Sequence, residues 1–181
     1  MTRAPIFGLR TTTSLHSAHH ADHDVQYAHP VPGSTLGTMR PVRLLQLEDN
    51  AADAELIQER LHGAGLTSEV TQVSNRIGFE AALDERPYHL ILCDFNLPDY
   101  DGLSALTVAR EKQPDVPVII ISGSYGEELA VKCLHMGATD YLSKGRLDRL
   151  PNAVWRAITA AEEQRLHRQA EMELRASEER P

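Results

Sequence analysis

A parallel α/β sheet is the fold class this sequence predicts, on three observations. Five β-like apolar runs (VRLLQLED, EVTQV, HLILCD, VIIIS and DYLSK) alternate with stretches of helical periodicity. The first, third and fourth runs are almost continuously hydrophobic, as strands buried on both faces must be. The runs also end in chemistry: Glu48 and Asp49 close the first, Asp94 the third, Ser122 the fourth and Lys144 the fifth. In open parallel sheets function collects at the carboxyl ends of the strands, so these five residues are expected to converge on one crevice.

The elements follow in order. After the first strand, Ala54, Ile57, Leu61 and Ala64 recur at helical spacing, with Asn50 as N-cap. Asp53 at the third helical position reads as a carboxylate variant of the capping box and suits the positive end of the helix dipole. Phe79, Ala82 and Leu83 form the inner face of the second helix. Leu129, Cys133 and Met136 recur at helical spacing before Gly137, which is placed to cap the fourth helix. Asp148 and Pro151 suit a helix start, and Leu150, Val154, Ala157, Ile158 and Ala161 supply the buried stripe of a fifth helix. That helix then overruns: Pro151 to Glu179 contains no breaker, giving about 43 Å of helix at 1.5 Å per residue. Its second half carries only a thin stripe of Leu166, Ala170 and Leu174 amid mixed charge. Weak pairing with another helix is expected, because so polar a segment is marginal alone.

With 181 residues and 41% hydrophobic content, the chain suits one globular domain with flanking segments, and no apolar run approaches a membrane span. A soluble, cytoplasmic protein without membrane attachment is expected. Residues 41–150 hold 10 Lys+Arg against 18 Asp+Glu, a balance equal to the whole formal charge of −8, so the acidity sits in the folded core. This acidity opposes binding of a phosphate backbone, and no nucleic-acid partner is expected. Cys93 and Cys133 have neither metal-site nor disulfide spacing and read as inert core thiols.

Residues 1–38 are rich in Thr, Ser, Pro and Gly and hold five of the nine histidines, without a hydrophobic period. They are expected to form a disordered, His-rich tail. His16, His19, His20 and His23 would share one face if helical, but adventitious metal affinity is the simpler expectation. Met39 stands just before the first strand and is an alternative start.

Three carboxylates at one sheet edge repel one another, and a hard divalent cation with oxygen ligands relieves that repulsion. Mg²⁺ suits this set, because it accepts a few carboxylates and keeps positions open for water and phosphate oxygens.

The motifs LLQLEDN, LILCDFNLPDYDG, IIISGS and TDYLSKG, in this order, resemble a response-regulator receiver domain of two-component phosphorelay signalling across residues 39–150. The resemblance implies a flavodoxin-like, doubly wound sheet of strand order 2-1-3-4-5. It implies that Asp94 is the phosphoacceptor, that Lys144 and Ser122 contact the phosphoryl oxygens, and that Ser122 and Tyr141 form a switch. Asp49, Asp94 and the backbone carbonyl of Asn96 would hold Mg²⁺, with Glu48 acting through water. The implied donor is a sensor histidine kinase or phosphotransfer protein; the output is a downstream signalling partner met by the fourth helix, fifth strand and fifth helix. The domain would promote its own phosphorylation and slow dephosphorylation rather than act as a turnover enzyme. Many receivers place a proline after the lysine; here Gly145 follows, so another backbone route through that loop is expected.

Two alternatives belong to other classes. A haloacid-dehalogenase-type phosphatase also uses an Asp nucleophile after a hydrophobic strand, but it needs a second Asp two residues on, where this chain has Asn96. A phosphorylation-independent pseudo-receiver is disfavoured because every member of the site is present. The ending RASEER resembles the connecting helix that precedes PAS domains, so residues 151–181 read as the fifth helix extended into a linker or partner-binding helix. Such a chain is the front piece of a longer signalling protein or a short regulator that kept the linker. Pairing of that helix in a weak homodimer is one expected use.

Overall fold

The computed structural model describes residues 41–123 and 126–178. The His-rich segment 1–38, with His16, His19, His20 and His23, and the alternative start at Met39 lie outside the described residues.

The chain alternates strictly: β1 (Val42–Leu47), α1 (Ala51–Gly63), β2 (Ser68–Val73), α2 (Arg76–Glu85), β3 (Leu90–Asp94), α3 (Gly102–Lys112), β4 (Val118–Ser122), α4 (Glu127–His135), β5 (Asp140–Ser143), then a 3₁₀ turn (Lys144–Arg149) and α5 (Leu150–Glu178). The strands form one parallel sheet of order 2-1-3-4-5. Every residue of β3 and β4 is buried, which is why both read as apolar runs up to their terminal Asp94 and Ser122. The edge strand β2 is only partly covered, with no residue fully buried.

Helices cover both faces. On one side Phe79, Leu83, Leu106, Ala109 and Cys133 pack α2, α3 and α4 onto Leu45, Leu47, Ile91 and Ile120. On the other Ile57, Leu61, Val154 and Ala157 pack α1 and α5 onto Leu44, Leu90, Leu92 and Ile119. Alternate residues of each central strand thus feed opposite cores, the consequence of the two-residue period of a strand. Cys93 and Cys133 are both buried, and burial raises both thiols above their ordinary pKa, in keeping with inert core residues.

Three local expectations are corrected. Asp53 does not close a capping box: the Asn50 side chain accepts from the Ala52 and Asp53 N–H groups, while the Asn50 N–H donates to Glu48 Oε1. The Asp53 carboxylate is engaged elsewhere, by Lys144. Ala64 is exposed rather than on the inner face, because α1 ends at Gly63 and Gly65 takes a positive φ of 84°. Met136 is likewise exposed; α4 is only nine residues long, its sole buried residue is Cys133, and the chain leaves through Gly137 at φ 100°.

α5 begins at Leu150, one residue before the expected Pro151, and continues for 29 residues. Its first three turns are anchored by Leu150, Ala153, Val154 and Ala157, whereas residues 162–178 are exposed all round. An ion pair between Arg168 and Asp115 ties the extension to the loop before β4.

Candidate functional site

Parallel register brings the strand ends to one edge. Leu47 pairs with Cys93, Asp94 with Ile121 and Ser122 with Ser143, so Glu48, Asp94, Ser122 and Lys144 leave the sheet side by side. Each sits at its strand's carboxyl end, and the loops that follow orient them.

Asp94 is only 4% exposed. Its Oδ1 accepts the Asn96 N–H at 3.1 Å and its Oδ2 accepts from Lys144 Nζ at 2.9 Å. The following loop is closed by a bridge between Asn96 and Asp101 and by the Gly102 N–H donating to the Phe95 carbonyl. Gly102 is needed there, since a Cβ would meet Phe95 Cα at 2.9 Å. Asp101 then caps α3 through the Leu103 and Ser104 N–H groups.

Glu48 is buried at 1% exposure, and Asp49 beside it is exposed. One carboxylate oxygen from each of Glu48, Asp49 and Asp94 lies within 4.8 Å of the others. Lys144 faces this group from the 3₁₀ turn after β5, with Nζ 2.6 Å from Asp53 Oδ2, 2.8 Å from Glu48 Oε2 and 2.9 Å from Asp94 Oδ2. The contacts to Asp53 and Asp94 are directed hydrogen bonds. The approach to Glu48 is an ion pair off the direction of a hydrogen bond, which leaves Glu48 Oε2 buried without a directed donor.

The titration of the cluster follows from this geometry. Burial pushes Glu48 above the ordinary glutamate pKa, more than Lys144 and the Asn50 N–H lower it; the Asp94 charge adds to the rise. For Lys144, burial acts to lower the pKa but is outweighed by the contacts with Asp53, Glu48 and Asp94, so the ammonium is held well above its ordinary value. Three carboxylates, Glu48, Asp53 and Asp94, therefore face one cation.

Whether this set fits a metal is decided by its donors. Three carboxylates supply hard oxygen atoms within mutual reach, with Glu48 and Asp94 buried. A hard divalent cation fits that donor set. Beside Asp49, a groove of about 400 Å³ runs between Ser74, Asn75 and Arg76 on one side and Leu97, Pro98 and Tyr100 on the other.

Ser122 is fully buried at the end of β4, and Tyr141 is buried on β5 within the cluster that holds Cys133 and Ala138. The turn at Lys144 is made without a cis peptide, none occurring among the described residues; the Ser143 side chain accepts the Gly145 N–H at 3.2 Å instead. Glu48, Asp49, Asp94, Ser122 and Lys144 are thus at one edge of the sheet, whereas Tyr141 lies within β5, and Asp53 joins the edge group from the first turn of α1. Its position three residues after Asn50 and four after the acidic pair was the available signal, but its charge was accounted for by the helix end.

Comparison with known proteins agrees with this geometry. The sequence model of the response regulator receiver domain matches residues 44–154. The chain is 32% identical over 127 residues to the DNA-binding transcriptional regulator NtrC of Salmonella typhimurium, covering 70% of this chain and 27% of that protein. It is 34% identical over 104 residues to the cell cycle transcriptional regulator CtrA of Caulobacter vibrioides, covering 57% and 44%. The match thus spans less than half the length of either relative. Among solved structures, the receiver domain of the sensor histidine kinase PA1611 from Pseudomonas aeruginosa, with a magnesium ion coordinated in its active-site cleft, superposes with a TM-score of 0.57 at 29% identity, covering 66% of this chain and 98% of that one. This chain belongs to the response regulator receiver domain family. Among the described residues, no helix is long and apolar enough to cross a membrane.

Proposed function

We propose that Asp94 accepts a phosphoryl group from a phosphohistidine on a sensor histidine kinase or phosphotransfer protein. An Asp94 oxygen attacks phosphorus, the P–N bond to the donor imidazole breaks, and an acyl phosphate forms while the histidine is released. The observation that carries this reading is the position of Asp94: buried at the end of β3, with its carboxylate fixed by the Asn96 N–H and by Lys144.

Asp49, Asp94 and the Asn96 backbone carbonyl would hold Mg²⁺, with Glu48 acting through water. When bound, the metal would supply positive charge beside the transferring phosphoryl oxygens. Lys144 would pair with those oxygens and Ser122 would donate its hydroxyl to them. No second acid stands two residues after Asp94 to activate water, so loss of the phosphoryl group is slow. The domain thus promotes its own phosphorylation and slow dephosphorylation.

Engagement of Ser122 repacks Tyr141 and alters the α4–β5–α5 surface, through which a downstream protein reads the state. Val131 and Leu134 on α4 are exposed large apolar residues, which supports that face as a contact surface. The exposed extension of α5 suits weak pairing, in a homodimer or with a partner helix. A cytoplasmic setting follows from the donor.

Incubation of the full chain with a phosphorylated histidine phosphotransfer domain and Mg²⁺ tests the reading. Transfer to this chain of a group that hydroxylamine removes, as it removes acyl phosphates, is expected. A transferred group that resists hydroxylamine would contradict it.

A further inference from the structure

We infer that Asp53 is a positioning residue for phosphoryl transfer, acting through Lys144; this rests on the reading of Asp94 as acceptor. Lys144 Nζ makes its shortest contact to Asp53, at 2.6 Å, across 91 residues of sequence. The Asp53 backbone is fixed in the first turn of α1, where the Asn50 side chain caps its N–H and the helix end favours its charge. Asp53 is therefore a rigid anchor for a long side chain that otherwise loses rotamer freedom to reach the acceptor.

The arrangement separates two tasks. Glu48, Asp49 and Asp94 carry the oxygens that approach one another within 4.8 Å, and Asp53 is not among them. When those three turn toward a cation, Asp53 keeps its hold on Lys144. An ammonium has three N–H donors, so Lys144 can retain Asp53 with one and present the others to phosphoryl oxygens. Removing the Asp53 charge leaves Lys144 with Glu48 and Asp94 alone, the two carboxylates that also face the cation site, on a turn that continues through Gly145.

The test is a double-mutant cycle on the full chain with phosphoramidate as donor. Asp53→Asn is expected to lower the maximal phosphorylation rate at saturating Mg²⁺ about tenfold, while the Mg²⁺ concentration at half-saturation, read separately by calorimetric titration, changes less than threefold. Asp53→Glu restores part of the rate. In a Lys144→Ala background Asp53→Asn has no further effect on the rate, and urea unfolding of the four proteins shows the same coupling between the two positions. An equal rate loss in both backgrounds, an unchanged rate in Asp53→Asn, or a loss confined to Mg²⁺ affinity would overturn the proposal while leaving Asp94 as acceptor. A wild-type chain that takes no phosphoryl group would overturn both.

Discussion

Replacing Lys144 with Met keeps much of the aliphatic stem and removes the only cation among the described residues within 3 Å of Glu48, Asp53 and Asp94. Removing one partner of a fully buried ion pair costs about 3–5 kcal/mol. Here Glu48 and Asp94 are buried, but the Lys144 and Asp53 side chains are 20% and 36% exposed, so solvent screens part of the loss. The expected destabilisation is about 2 kcal/mol at neutral pH. Its pH dependence has a definite sign. Glu48 already has a folded pKa raised by burial, so the stability it contributes is present below the ordinary glutamate value and is lost as pH rises through the folded value. Without Lys144 that pKa rises further. The deficit of Lys144→Met should therefore be largest at neutral pH and shrink on acidification toward the carboxylate range. Mg²⁺, as the remaining cation for the cluster, should stabilise the variant more than the wild type. Urea unfolding at two pH values, with EDTA or with Mg²⁺, measures all three effects. A variant within about 0.5 kcal/mol of wild type at neutral pH, or a deficit independent of pH, would refute the electrostatic reasoning, since surface changes alone stay within that range.

Phe79→Ala should cost about 3–5 kcal/mol in urea unfolding, because Phe79 is fully buried and packs near Tyr100 with ring centroids 6.2 Å apart. Gly102→Ala should cost about 1–3 kcal/mol, since its Cβ would approach the Phe95 backbone at 2.9 Å; a neutral result would show that the loop after Asp94 yields easily. His89 should titrate below its ordinary value of about 6.5, because desolvation and Arg43 disfavour its charge and its Nδ1 accepts the Arg43 N–H. Its contribution is present above the unfolded pKa and fades as pH falls through the folded one. His89→Asn should flatten the small dependence of the urea midpoint in that interval, and a dependence that persists unchanged would assign it to other groups.

The sheet was legible because two-sided burial leaves a strong mark: LILCD and VIIIS are apolar up to their last residues, Asp94 and Ser122, and both are buried at every position. Strand order was not in the periodicity, which describes faces and not neighbours; it came with the family resemblance. The acids at the strand ends were legible for a related reason, since a charge directly after a buried strand has few structural excuses. Asp53 was harder. At the third position of a helix an acid has an ordinary use, and only the fold brings Lys144 to it. The same limit hid the Arg168–Asp115 pair, whose partners are 53 residues apart. Met136 and Ala64 were misplaced because the helical period continues in sequence after the helix has ended at His135 or Gly63.

The central claim, that Asp94 carries the phosphoryl group, is tested most directly by intact mass. Wild type and Asp94→Asn are incubated side by side with phosphoramidate and Mg²⁺, and the mass of each full chain is followed in time. Wild type should gain a single phosphoryl group and Asp94→Asn none. A variant that gains the same group at the wild-type rate would contradict the assignment and move the acceptor elsewhere in the chain.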